Sequence, residues 1–259
     1  MKRLSVLLMC LLLLTGCTQN RPKTYDEAVD LFAAGQYAEA AEAFERLGSR
    51  AAAPTYAAYS RGLVLYEQGQ YAAAAPYFEK TQDFMYGKER YRYCNAHGHL
   101  DAGDILEAAN GFLNLGDFED APLWYEYCVA RLAEENKDYE DALYSYEAAG
   151  NLADAEDRLY NLRGQIYNRA IEFKKEGNYS DAIILFTMLG DYLSAADQAA
   201  QCKDVYLDGQ YEQADFYEAA GDLQAAYDLF TGLAGYRDSA ERAEEIAPFL
   251  GIEIENRED

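Results

Sequence analysis

Histidine is nearly missing from this chain: His97 and His99 are the only two in 259 residues, and they stand in one short stretch. A Ser or Cys nucleophile needs a base and a third group that orients the base. Both histidines fall inside one helical column, away from any turn or pocket that could assemble such a set, so no enzyme is expected. Cations are scarce as well, with 22 Lys and Arg against 46 Asp and Glu and a formal charge of −24. A chain this acidic repels nucleic acid and anionic lipid headgroups, which excludes nucleic-acid partners. No glycine-rich phosphate loop follows a strand, because no strand pattern occurs, and no cofactor is implied. The apolar run Leu4 to Leu14 covers about 16 Å as a helix against the ~30 Å of a bilayer core, too little for a membrane span.

What the N-terminus does contain is a secretory signal: Lys2-Arg3, then that short apolar run, then small residues. Leu14-Thr15-Gly16-Cys17 resembles the lipobox of bacterial lipoproteins. The resemblance implies cleavage before Cys17, a diacylglycerol on its sulfur and an acylated amine. Two or more acyl chains hold a protein on a bilayer stably, where one does not. Loss of residues 1–16 removes two bases and no acid, leaving 20 bases, 46 acids and a charge of −26. The expected location is extracytoplasmic and membrane-anchored. Thr18 is not the aspartate that retains lipoproteins in an inner membrane, so a host with two membranes would carry the chain on its outer one.

The mature chain is a repeat. Gly35, Gly69, Gly103 and Lys137 stand 34 apart, and Gly177 and Gly221 follow at 40 and 44. With these six residues as zero, offset +5 is always alanine (Ala40, Ala74, Ala108, Ala142, Ala182, Ala226). Offset +9 is always aromatic (Phe44, Phe78, Phe112, Tyr146, Phe186, Phe230). Offset −10 is always tyrosine (Tyr25, Tyr59, Tyr93, Tyr127, Tyr167, Tyr211), and −7 is small (Ala28, Gly62, Ala96, Ala130, Ala170, Ala214). Offsets −10 and −7 share one helical face, as do +2, +5 and +9 on a second helix. The zero residue ends the first helix in a left-handed conformation that suits Gly, so the turn at Lys137 should differ slightly. One hairpin cannot bury its own apolar face, so the units must stack.

These columns resemble the tetratricopeptide repeat over about residues 21–245. That implies an all-α, right-handed helical-hairpin solenoid of about six repeats. The repeat-end proline of that family appears only as Pro54 and Pro122, and the −10 tyrosine stands one place from the usual aromatic. Gly190 to Ala196 and Gly235 to Ala240 read as extra short helices of the later repeats. Residues 1–16 are the signal, 17–23 a lipidated tether, 24–247 the array and 248–259 a C-terminal cap and tail. Thr24 with Glu27 reads as a capping box opening the first helix. Pro76 falls early in its helix, where proline is tolerable. Phe249 to Ile254 should fold back over the last hairpin.

Cys94 with His97 carries the residue types of a metal site, but His97 and His99 point to opposite sides of a helix. Cys128 recurs at the slot of Cys94, which marks both as small core residues rather than ligands or a disulfide, and no metal is expected. In tetratricopeptide arrays the first helices line a concave groove. Carried onto offsets −13 and −6, the resemblance implies a partner-binding set of Tyr56, Leu63, Arg90, His97, Trp124 and Arg131. Tyr, Trp and Arg are the types in which binding energy concentrates, and packing between helices is the competing use of the same residues. The Lys and Asn clamp for a peptide's terminal carboxylate is absent. The expected function is a non-catalytic protein- or peptide-binding scaffold. A structural subunit of a machine that assembles the cell envelope, by protein insertion or wall-polymer synthesis, and an enzyme hidden at the 190–210 insertion are the rival readings.

Overall fold

The structure, a computed structural model, describes residues 24–233 and 235–253. Residues 1–23, with the signal, Cys17 and the tether, lie outside the described residues, as does the tail from Ile254. Among the described residues there are thirteen α-helices and no strand. They are α1 (Tyr25–Ala33), α2 (Tyr37–Leu47), α3 (Ala53–Glu67), α4 (Tyr71–Glu79), α5 (Gly87–Ala102), α6 (Ile105–Leu113) and α7 (Ala121–Asn136). There follow α8 (Tyr139–Ala149), α9 (Ala155–Glu176), α10 (Tyr179–Leu189), α11 (Ala195–Ala220), α12 (Leu223–Gly232) and α13 (Ser239–Ile246), with a 3-10 turn at Ala247–Leu250. The chain divides into two compact units, one of residues up to 138 with 144–155, the other of 139–143 with residues from 156 on. In the first, each helix from α1 to α7 packs on the next in sequence. In the second, α10 packs on α11, α11 on α12 and α12 on α13.

The repeated columns account for the packing. All six +5 alanines and all six +9 aromatics are fully enclosed, and every −7 position is buried. A side chain larger than hydrogen does not fit at Gly62, where a Cβ would stand 2.9 Å from the Phe78 ring. Small residues on facing helices thus let the backbones approach, and the aromatic ring fills what remains. Thr24 caps α1 as a capping box, accepting from the Glu27 amide while the Glu27 carboxylate accepts from the Thr24 amide.

The turn at Lys137 is left-handed and differs slightly from its glycine counterparts, with φ 64° and ψ 25° against 83° and 7° at Gly103 and 80° and 10° at Gly221. Two expectations need correction. Of the two extra short helices expected in the later repeats, residues 190–196 form none, whereas residues 235–240 lead into α13, a helix of eight residues. Gly190 ends α10, Leu193 turns left-handed and Ser194 begins α11, while Tyr236 to Asp238 likewise lead into α13. The residues added to the 34-residue period lengthen first helices instead: α9 and α11 run 22 and 26 residues, against 16 in α5 and α7. Sequences such as Ala155-Glu156-Asp157-Arg158-Leu159 are good helix formers, so a continuous helix costs less than a new turn. Pro76 is the sixth of nine residues in α4, not an early one; with no amide to donate to Ala72, it leaves that carbonyl without its helical partner. At the C-terminus Leu250 packs on the cluster of Tyr211, Phe230 and Ile246, while Phe249 stays exposed.

From Tyr59 on, each first helix is tied to the next by a contact that recurs at a fixed distance. The −10 tyrosine hydroxyl meets the residue 27 positions on, at the start of the following first helix. Tyr93 donates to Asp120, Tyr127 to Asp154 and Tyr211 to Asp238, Tyr167 pairs with Ser194, and Tyr59 accepts from the Tyr86 amide. The residue before each of these is left-handed and not glycine: Met85, Glu119, Ala153, Leu193 and Arg237. Left-handed backbone costs an L-residue roughly 1–2 kcal/mol, and the buried hydroxyl contact helps to hold it.

Two stability measurements check this account. Lys137→Gly should raise stability by about 0.5–1 kcal/mol in chemical denaturation, because glycine takes the left-handed turn without strain. Tyr93→Phe should lower it by about 1.5–3 kcal/mol, the worth of a hydrogen bond to a charged acceptor.

Candidate functional site

Of the residues proposed for a groove, Leu63 and His97 are buried, and Tyr56, Arg90, Trp124 and Arg131 are half-buried. Leu63 is buried in the cluster of Tyr59, Ala74, Phe78 and Cys94. Tyr56 on α3 stacks on Phe44 at 4.7 Å and meets Tyr25, Phe32 and Phe84 edge-on. His97 on α5 stacks on Tyr71 at 4.0 Å and touches Tyr93, Phe112 and Trp124. Trp124 on α7 lies parallel to Phe112 and edge-on to Tyr127. Arg131 is half-buried, 5.9 Å from the centre of the Tyr127 ring. Packing between helices, the competing use of these side chains, is where the structure puts them.

Arg90 is held most firmly. One guanidinium nitrogen donates to the Tyr59 hydroxyl at 2.5 Å, and another lies 3.4 Å from the Glu119 carboxylate. The rings of Tyr59, Tyr66, Tyr86 and Phe118 stand 5.6–6.0 Å from its carbon, within cation–π range. Tyr66 of α3 donates to the same Glu119 at 2.5 Å, reaching past an intervening hairpin. Burial first, then this carboxylate, pushes the Tyr66 phenol far above its usual range. The arrangement returns in the other unit, where Arg242 donates to the Tyr211 hydroxyl at 3.2 Å and pairs with Glu218. Both arginines stand 31 residues after a −10 tyrosine. Counting back from the turn placed only Arg90 in that column; counting forward from the start of each first helix would have found both.

His97 is 4% exposed, and its Nε2 has no hydrogen-bond partner, like the Trp124 indole nitrogen beside it. Their rings meet edge to face at 4.5 Å, a geometry in which an N–H can rest on a π face. Burial lowers the imidazole to about 4, against which Asp120 and Asp101 push weakly upward. It is therefore a neutral packing group at pH 7 and a poor general base. Cys94, Cys128 and Cys202 are free and buried. Burial raises the Cys94 thiol to about 12 and the Cys128 thiol to about 11, far from the thiolate that metal binding and nucleophilic attack require. Among the described residues no group of three or more His, Cys, Asp or Glu is placed to hold a metal ion.

An open polar groove lies on a different face. It encloses about 370 Å³ between α5 and α6 and is lined by Arg92, Asn95, Ala96 and His99 from one helix and Glu107, Gly111 and Asn114 from the other. Arg92, Asn95 and His99 follow the same helical spacing two residues on from the half-buried Arg90 and the buried Tyr93 and His97, on a nearly opposite face. Reasoning from the family's groove offsets missed this face.

Neither protein-family models nor curated proteins give a match to this chain.

The depressed imidazole makes a signed prediction. Below about pH 6.5 the unfolded chain takes up a proton at His97 that the folded chain refuses down to about 4. Stability is then full above pH 6.5 and falls as pH drops, by roughly 2 kcal/mol at pH 5 and about 3 kcal/mol below pH 4. His97→Phe should flatten the decline between pH 7 and 5 in denaturation midpoints, and an unchanged slope would refute the assignment.

Proposed function

We propose that this chain is a lipid-anchored, extracytoplasmic scaffold. In this reading a diacylglycerol on Cys17 holds it to the membrane, and a right-handed, tetratricopeptide-like solenoid of six hairpins presents a surface to a protein or peptide partner without catalysing a reaction. The observation that carries it is that the four repeated columns are packed through all six copies, while the residues with catalytic or ligating chemistry are spent on packing. A molecule whose sequence is devoted to repeating one packed unit offers extended surface. No helix among the described residues is long and apolar enough to cross a membrane, which leaves attachment to the N-terminal anchor. The charge of −26 after processing keeps the array dispersed and favours cationic or mixed-charge partners.

The partner-binding role assigned to Tyr56, Leu63, Arg90, His97, Trp124 and Arg131 gives way to exposed faces in this proposal, because these side chains already have partners within the chain. Cys17→Ala should move the protein from the membrane pellet to the soluble or secreted fraction, and the native membrane form should carry the mass of a diacylglyceryl cysteine. Cross-linking in intact cells should then trap a defined protein partner. A Cys17→Ala chain still bound to membranes would remove the anchor from the proposal, and a parent that traps no partner would remove the scaffold.

A further inference from the structure

We infer that the groove between α5 and α6 binds an extended polypeptide segment through the segment's main-chain amides. The inference rests on the scaffold reading and names the surface that reading needs. Its two walls each carry a carboxamide, Asn95 on α5 and Asn114 on α6. A carboxamide both donates and accepts, the pattern that a backbone N–H and C=O pair presents. Asn114 uses its nitrogen on the Asn110 carbonyl at 2.8 Å, which leaves its oxygen as an acceptor. Asn95, Arg92 and Glu107 have no hydrogen-bond or ion-pair partner among the described residues, although Arg92 belongs to a chain with 46 acids.

The floor is Ala96 and Gly111, and it is as low as two helices allow: a Cβ at Gly111 would stand 2.8 Å from that of Ala96. The corresponding residues of the other hairpins are Ala43, Tyr77, Ser145, Leu185 and Leu229. Together with its carboxamides and its guanidinium, this floor gives the third hairpin a groove of its own composition. Its volume sits at the small end of ligand pockets, about 300–1,000 Å³. The His99 imidazole is the one ring that lines it, and the chain's formal charge of −24 disfavours nucleic acid there. Arg92 on one wall and Glu107 on the other favour a segment with one acidic and one basic side chain.

The test uses the full lipidated chain in detergent micelles. Its probes are an array of short peptides carrying one acid and one base, the same peptides with single backbone N-methyl groups, and an N-acetylglucosamine oligosaccharide. The parent should bind a subset of the peptides. Arg92→Ala with Asn95→Ala should weaken binding about tenfold or more, as should N-methylation at the segment's centre, for loss of about 1.4 kcal/mol or more. Both substituted residues are exposed, and an unchanged thermal midpoint verifies the fold. Peptide binding that survives both changes, or oligosaccharide binding without peptide binding, overturns the inference. A cellular partner cross-linked equally by parent and double variant removes the groove while the scaffold stands. A parent that binds peptides but cross-links nothing in cells removes the scaffold while the groove stands.

Discussion

The close approach of neighbouring helices, permitted by alanine and glycine on their facing sides, is the constraint on which this structure depends. With Ala108 on one helix and Ala96 on the other, the backbones come near enough for Phe112 to close the remaining space completely. A larger residue at either small position would separate the helices and open voids along the whole aromatic column, because voids in close-packed interiors are costly. Repetition multiplies the effect. Each aromatic buries its area against a neighbouring hairpin, so no unit is stable by itself and the columns recur in all six copies.

A second, polar constraint works on top of this seam. The buried −10 tyrosines Tyr93, Tyr127 and Tyr211 donate their hydroxyls to Asp120, Asp154 and Asp238 at the start of the next helix, and the half-buried Tyr167 pairs with Ser194 in the same way. A buried hydroxyl left without a partner would cost about 1–3 kcal/mol, so the contact both satisfies the tyrosine and sets where the next helix begins. This explains how six and ten extra residues in α9 and α11 are absorbed without disturbing the hydroxyl contacts. The extra turns enter between the start of the helix and its tyrosine, while the span from each tyrosine to the next helix stays at 27 residues.

The interior consumes most of the chemistry the chain possesses. Its buried histidine is neutral, its thiols are protonated, and its best-held arginine is enclosed by Tyr59, Tyr66 and Glu119. Arg92, Asn95 and Glu107 line the groove at the surface between α5 and α6.

Period, columns and capping were legible in the sequence because they are local. Helical spacing fixes which side chains share a face, and Thr24 with Glu27 announces its helix by nearest-neighbour hydrogen bonding. Lys137 was legible as a turn of slightly different geometry, since it stands where glycine stands in the other five copies and closes its helix through backbone bonds to Ala133 and Glu134. The phrase Gly190-Asp191-Tyr192-Leu193-Ser194 was visible and misread, because a short polar–aromatic run suits a helix until the distant Tyr167 hydroxyl is seen to fix it. Orientation was beyond the sequence altogether. Arg90 and Arg92 stand two residues apart, roughly 200° around α5, so they lie on nearly opposite faces, and which of them faces solvent is set by the sum of contacts from helices far apart in the chain.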